Sequence, residues 1–90
     1  MTTARFDELI HPSTRLTIMA LLAAADWVDF AFVRDEIGLS DSALSKQLST
    51  LEAAGYVELE RRKHLRAQLT AAGREAFAGH VAALRAIVGA

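Results

Sequence analysis

The sequence contains no cysteine, and its 90 residues include only one proline. The absence of cysteine excludes disulfide bonds, thiolate metal ligands and cysteine nucleophiles. The sequence also has no long apolar run: the longest, Ile18–Ala25, is far shorter than the ~20 residues that a membrane-spanning helix needs. The amino terminus carries Arg5 and Asp7 and leads into no apolar stretch, so we expect no secretory signal and a cytoplasmic protein with no membrane partner.

Recognisable catalytic and metal-binding patterns are missing as well. The histidines at positions 11, 64 and 80 lie far apart in the sequence, and Glu75 and His80 are not spaced to share one helical face. No serine or carboxylate stands in a recognisable nucleophile context. We therefore expect no enzyme activity, no cofactor and no metal site.

The composition favours a single small domain, covering residues 1–90, that buries apolar surface against another chain. Apolar residues make up 52% of the sequence, above the usual range of roughly 45–50%. A chain of this length buries only a modest share of its surface by itself. The surplus of apolar residues therefore indicates burial between protomers.

Charge is distributed unevenly along the chain although the formal net charge is only −1. The part before Ser40 holds six acidic and three basic residues. The stretch Arg61–Arg66 holds four basic residues and one histidine and no acidic residue. Such polarity is expected where a single surface meets phosphate groups.

The first strong secondary-structure signal follows His11-Pro12. The segment from Ser13 to Ala25 is rich in helix formers and has almost no polar face, which predicts a buried central helix. Before it, Phe6–Ile10 is expected to form a short helical turn.

A helix-turn-helix pattern comes next. Trp27–Phe30 fits either a short strand or an extended linker, and Phe32–Ile37 reads as a short helix that Gly38 ends. Ser40 or Asp41 offers an N-cap for a second helix, which runs to Ala54 before Gly55. Two helices joined by a tight turn that contains glycine form this motif.

After Gly55 the apolar period changes from that of a helix to that of a strand. Tyr56–Glu60 and Leu65–Leu69 alternate apolar and polar residues, and the charged loop between them predicts a β-hairpin. Thr70 then caps a last helix that extends to about Val88. The predicted fold class is mainly α with one β-hairpin.

The second helix of the motif has an outer face suited to a major groove. Leu44, Leu48 and Leu51 form its buried stripe. The opposite side is small, hydroxylated and free of acidic groups at its centre, and its candidate DNA-binding residues are Ser42, Ser45, Lys46, Ser49 and Thr50. Hydroxyls and lysine contact phosphates or base edges. The alternative is an ordinary solvated helix face.

The hairpin loop is the second candidate DNA contact. It carries a cationic group of residues: Arg61, Arg62, Lys63, His64 and Arg66. Such a tip can reach the phosphate backbone or the minor groove. Most basic hairpins are merely charged turns, but one that directly follows a helix-turn-helix favours nucleic-acid binding.

In these features the chain resembles the winged-helix regulators of the MarR and ArsR type, especially small stand-alone members. The matching residues are Leu9-Ile10-His11-Pro12, Arg15-Leu16, Leu44-Ser45, Leu48, Leu51-Glu52, Gly55-Tyr56-Val57, Leu69-Thr70, Gly73-Arg74 and Ala76-Phe77. The resemblance implies a winged helix-turn-helix that dimerises through its terminal helices. It also implies sequence-specific binding of duplex DNA and control of transcription initiation.

The chain departs from that family pattern at three positions in the second helix of the helix-turn-helix. Where small regulators often have Gly-Asn before the Leu-Ser pair and a histidine before the next leucine, this chain has Ser42, Ala43 and Gln47. Alanine lacks the amide of asparagine, so the base preference of the relatives does not carry over. The hairpin loop, which corresponds to the wing of that family, is also shorter than usual.

The last helix predicts a dimer surface. Phe77, Val81, Leu84 and Val88 form an apolar stripe, and the other faces are poor in charge. We predict a two-fold homodimer built from this helix and the amino-terminal segment. The predicted interface residues are Phe6, Leu9, Ile10, His80, Val81, Leu84, Ile87 and Val88.

These observations together predict a homodimeric regulator, of repressor type, that binds a palindromic duplex site. Two alternatives stay open. One is a winged-helix module that binds another protein instead of DNA, which the slightly negative net charge allows. The other is a sensor whose small-molecule effector occupies a pocket near Trp27, Phe30 and Phe32 at the dimer interface, although no pattern in the sequence supports an effector.

Overall fold

The computed structural model describes Ala4, Asp7, Leu9, Ile10 and residues 12–89. Within this part the chain forms four helices and a three-stranded antiparallel sheet. The elements, in order, are α1 (Ser13–Ala23), β1 (Val28–Asp29), α2 (Phe30–Ile37), α3 (Asp41–Ala53), β2 (Val57–Arg61), β3 (Leu65–Leu69) and α4 (Ala71–Ile87). The predicted order of three helices, a hairpin and a last helix is confirmed, and β1 is added to it.

Helix α1 is the centre of the core, as predicted. Ile18, Met19 and Leu22 are fully buried, because α1 contacts each of the other helices and the sheet. The helix ends at Ala23, two residues before the expected end. The Arg74 guanidinium donates hydrogen bonds to the carbonyl oxygens of Ala23 and Ala25, at 3.4 and 3.1 Å, and so satisfies acceptors that a helix end leaves open.

Helices α2 and α3 form the predicted helix-turn-helix. Helix α2 begins at Phe30, two residues earlier than expected. It ends at Gly38, whose φ of 80° is a left-handed conformation that glycine adopts without steric cost. The Ser40 hydroxyl caps α3 by accepting the Ala43 N–H at 3.1 Å.

The sheet has the strand order β1-β3-β2. In the hairpin, Val57 lies opposite Leu69 and Arg61 opposite Leu65, which confirms the two alternating segments as paired strands. Of the two possibilities for Trp27–Phe30, the strand is the one observed, because Val28 pairs with Ala67 on β3. Val57, Ala67 and Leu69 face the core.

Helix α4 places its apolar stripe partly against the core, because Phe77 packs on the core and Val81 and Leu84 are half-buried. Its buried residues are Gly73, Gly79 and His80, whereas Val88 of the expected stripe is 75% exposed. Packing at the start of the helix is close: a Cβ built on Gly73 would lie 2.0 Å from the Tyr56 carbonyl oxygen. The contact face therefore requires small residues there, and the last turn of α4 extends beyond the core.

Candidate nucleic-acid interface

The outer face of α3 is available to a ligand along its length. Ser42, Ser45, Lys46 and Ser49 are exposed, and Leu44, Leu48 and Leu51 on the opposite side are buried, as predicted. Thr50 is half-buried, and its hydroxyl donates to the Lys46 carbonyl at 3.1 Å. Its donor is therefore committed within the helix, which leaves the oxygen as an acceptor.

Arg34 fastens α2 to the start of α3. Its Nη1 lies 2.9 Å from an Asp41 carboxylate oxygen, and its Nε lies 2.9 Å from Asp35. The hydrogen bond that Arg34 donates to Asp35, followed by the one that it donates to Asp41, raises the pKa of Arg34 above its ordinary value. Asp41 also lies in the first turn of α3, where a negative charge is favoured by the helix dipole. The Arg34–Asp41 contact thus joins α2 to the first turn of α3, whereas Asp35 lies on α2 itself.

A contact between α1 and α3 was not found from the sequence. Arg15 Nη1 of α1 donates to Gln47 Oε1 of α3 at 3.0 Å, and Arg15 Nε donates to the Leu9 carbonyl oxygen. Arg15 and Gln47 are both half-buried. The sequence singled out Gln47 only as a departure from the family pattern, and no periodicity links side chains 32 positions apart.

The hairpin tip carries exposed cations. Arg61, Arg62, Lys63 and His64 are all exposed. Glu60 draws two arginines back towards the sheet: its carboxylate lies 3.1 Å from Arg62 Nε and 2.6 Å from Arg66 Nη2. Within the described residues, the ion pairs at the hairpin leave Arg61, Lys63 and His64 unengaged.

Arg66 lies inside β3 and not in the tip, where the sequence had grouped it with the other cations. Its guanidinium is held by Glu60 on β2 and stacks 4.5 Å from the centroid of the Trp27 ring. A guanidinium held by a carboxylate and an aromatic face has little to offer a phosphate. We therefore assign Arg66 to the base of the hairpin.

The residues predicted for a dimer surface fall into three groups. Ile10 and His80 have no exposed surface, and His80 Nδ1 accepts the Asp7 N–H at 2.9 Å, so both belong to the core of the protomer. Leu9, Val81 and Leu84 are half-buried. Ile87 and Val88 are 70% and 75% exposed. Phe6 lies outside the described residues.

One of the three aromatic residues considered for an effector, Phe30, lines a cavity among the described residues. A shallow cavity of about 270 Å³ is lined by Asp29, Phe30, Ala31, His64 and Leu65. Trp27 and Phe32 are absent from this lining, and Phe32 is 52% exposed. Trp27 instead supports Arg66.

The described residues include no helix long and apolar enough to cross a bilayer. Nor do they bring together three histidine or carboxylate side chains that could hold a metal ion.

A family model for the winged helix DNA-binding domain matches residues 14–88. The chain belongs to this family. In winged-helix terms, α3 is the recognition helix and the β2–β3 hairpin is the wing. The match covers every helix and strand of the structure except the first residue of α1.

Similar proteins extend from archaea to bacteria. An uncharacterized protein of Methanocaldococcus jannaschii is 27% identical over an alignment length of 79 residues, and the match covers 82% of this winged-helix chain and 86% of the relative. The structure of a transcriptional regulator homologue from Pyrococcus horikoshii OT3 superposes with a TM-score of 0.87 at 20% identity, over 91% of this chain and 86% of the other. NolR from Sinorhizobium fredii gives a TM-score of 0.74 at 26% identity, over 91% and 79% of the two chains.

The ion pairs of Glu60 lead to a prediction about the wing. Glu60→Gln is expected to strengthen binding to random duplex DNA about threefold, because it releases Arg62 and Arg66 and removes a negative charge near the phosphates. The measurement is a fluorescence anisotropy titration at low salt.

Glu58→Gln is the matched control for the wing. Glu58 lies on the same strand and accepts a hydrogen bond from the neutral Gln68 at 3.0 Å, so its loss removes the same charge without releasing an arginine. Equal effects of the two substitutions would show that Glu60 does not restrain the wing cations.

Proposed function

We propose that this winged-helix protein is a transcriptional repressor that binds a palindromic site in double-stranded DNA as a homodimer. The observation that carries the proposal is the continuous exposed face of α3, with Lys46 among serine hydroxyls, together with the free cations of the wing tip. Short side chains let the helix approach the base edges closely, and the wing adds phosphate contacts. The regulator homologue of Pyrococcus horikoshii has the same fold and supports a regulatory role.

The homodimer rests on the end of α4. Ile87 and Val88 are large apolar side chains that are more than two-thirds exposed, and Val81 and Leu84 continue the surface towards the core. A second copy related by a two-fold axis buries these residues against the same residues of its partner. The two recognition helices of such a dimer would lie about 34 Å apart, one DNA turn, which is why we propose a palindromic site.

Selection from a pool of randomised duplexes tests the DNA-binding proposal. We expect enrichment of a two-fold symmetric sequence, with an affinity that falls by roughly 10³–10⁵ between about 50 and 200 mM salt if the dimer makes about 6–10 phosphate contacts. Lys46→Ala should abolish the preference for the selected site over random duplex, because the recognition helix has no second cation on its outer face.

The alternative of a protein-interaction module predicts a different result in the same experiment. No sequence would be enriched, and binding to duplex DNA would be weak and insensitive to salt. That outcome would reject the repressor proposal.

As a DNA-binding regulator the protein would work in the cytoplasm, beside the DNA.

A further inference from the structure

Three parts of the fold meet at Arg15. This side chain leaves the first turn of α1 and donates from one nitrogen to the carbonyl oxygen of Leu9 in the amino-terminal segment. From a second nitrogen it donates to the Gln47 side chain of the recognition helix at 3.0 Å. Both acceptors are neutral, so the contact is a geometric bridge and not an ion pair.

Leu9, which accepts the hydrogen bond from Arg15, is itself linked to the rest of the fold through Asp7. The Asp7 carboxylate accepts the Leu9 N–H at 2.9 Å and the Tyr56 hydroxyl at 2.6 Å. The Asp7 N–H donates to Nδ1 of the buried His80 on α4 at 2.9 Å. Hydrogen bonds therefore run without a break from α4, through Asp7, Leu9 and Arg15, to Gln47.

The bridge also decides what Gln47 can offer. A free glutamine side chain presents one acceptor and two donors, which suits bidentate contact with adenine. Here Arg15 occupies one of the two acceptor positions of the Gln47 Oε1 atom and so holds the amide in one orientation, which leaves its N–H groups and one acceptor position for contact with DNA. Gln47 lies beside Lys46 and one turn from Thr50, at the edge of the face proposed to enter the groove.

We propose that Arg15 is a positioning residue for DNA recognition. It sets the orientation of the recognition helix by linking Gln47 to Leu9, which Asp7 connects to α4. The inference rests on the proposed sequence-specific binding. Arg15 keeps the base-facing side chains of the recognition helix in position. Loss of Arg15 therefore lowers the preference for the selected site more than it lowers the affinity for random DNA. Loss of a phosphate contact would instead weaken binding to both duplexes alike.

Two substitutions of Arg15 and one of Gln47 separate these roles. The quantity measured is the specificity ratio, the affinity for the site selected by the unchanged protein divided by that for random duplex. Arg15→Ala and Gln47→Ala should each lower this ratio by about tenfold, the scale of a lost hydrogen bond from a charged donor. Arg15→Lys should lower it similarly, because an ammonium keeps the charge but lacks the planar fork that spans Leu9 and Gln47.

The combined variant tests whether the two side chains act together. Changing Arg15 and Gln47 to alanine in one chain should lower the ratio no further than either single change, because both remove the same bridge. Arg74→Ala is the control: this arginine also donates from its guanidinium near an end of α1, but its hydrogen bonds go to the Ala23 and Ala25 carbonyl oxygens and not to the recognition helix. It should lower the urea midpoint and leave the specificity ratio unchanged.

Several outcomes would overturn the inference. They are an unchanged ratio in Arg15→Ala, full retention of the ratio in Arg15→Lys, additive effects in the double variant, or an equal loss of ratio in Arg74→Ala. If Arg15→Ala does not fold, Arg15→Lys and Gln47→Ala still decide the question. A ratio near one in the unchanged protein would instead reject both the proposed function and the role of Arg15, whereas a high ratio that all variants keep would reject the role of Arg15 alone.

Discussion

Replacing Gly73 by alanine is expected to lower the free energy of unfolding by about 3 kcal/mol or more. The new Cβ would lie 2.0 Å from the carbonyl oxygen of Tyr56 and 2.9 Å from its carbonyl carbon, which no side-chain rotation can relieve. The same oxygen accepts the Thr70 N–H at 3.0 Å, so moving it also disturbs the start of α4. Alanine gains about 1 kcal/mol as a helix former, which is too little to offset the overlap.

Urea unfolding followed by circular dichroism measures this loss, and Gly38→Ala is the matched control. Gly38 has a φ of 80° and nothing within 4 Å of the added Cβ, so alanine there meets only backbone strain, about 1–2 kcal/mol. The Gly73 variant should therefore be clearly the less stable of the two. An equal or smaller loss would mean that α4 can move away from Tyr56 at little cost.

Changing Ile87 and Val88 together to glutamate is expected to separate the proposed dimer. The two side chains are 70% and 75% exposed in the protomer, so the fold of the single chain should be unaffected. In a dimer four carboxylates would then be forced into one apolar interface. The separated protomers should bind the selected palindrome roughly 10²–10⁴-fold more weakly, because the second half-site is no longer bound intramolecularly.

Sedimentation velocity over a concentration series gives the oligomeric state, and anisotropy titration gives the DNA affinity. Phe32→Glu is the control, since Phe32 is also a large exposed apolar residue, at 52%, but lies on α2. That variant should remain a dimer. An unchanged protein that sediments as a single 9.8 kDa chain at every concentration would refute the homodimer.

Local sequence signals predicted most of the fold because they report local physics. Gly38 and the Ser40 cap mark the turn of the helix-turn-helix, and the structure confirms both. Strand β1 stayed ambiguous in the sequence because two residues carry too little periodicity. It exists through its pairing with β3, which is a contact between distant parts of the chain.

The sequence was least informative where packing and side-chain pairing decide the structure. The sequence pattern of α4 does not show that the start of this helix packs against the backbone of Tyr56, which leaves room only for a glycine at position 73. The group of cations around the wing included Arg66 because the sequence does not reveal that Glu60 and Arg66 lie directly opposite on the two strands. The hydrogen bond between Arg15 and Gln47 joins two different helices, so the sequence pattern of neither helix reveals it.

The strand order has a consequence for solubility. Because β3 lies between β1 and β2, one side of β2 pairs with β3 and its other side forms an edge of the sheet. Unpaired backbone groups at an edge can template the addition of a strand from another molecule, which is a route to aggregation. This five-residue strand carries three charged residues, Glu58, Glu60 and Arg61. Their charges oppose the addition of a further strand at the edge. The charges on β2, at the base of the wing, thus also oppose aggregation.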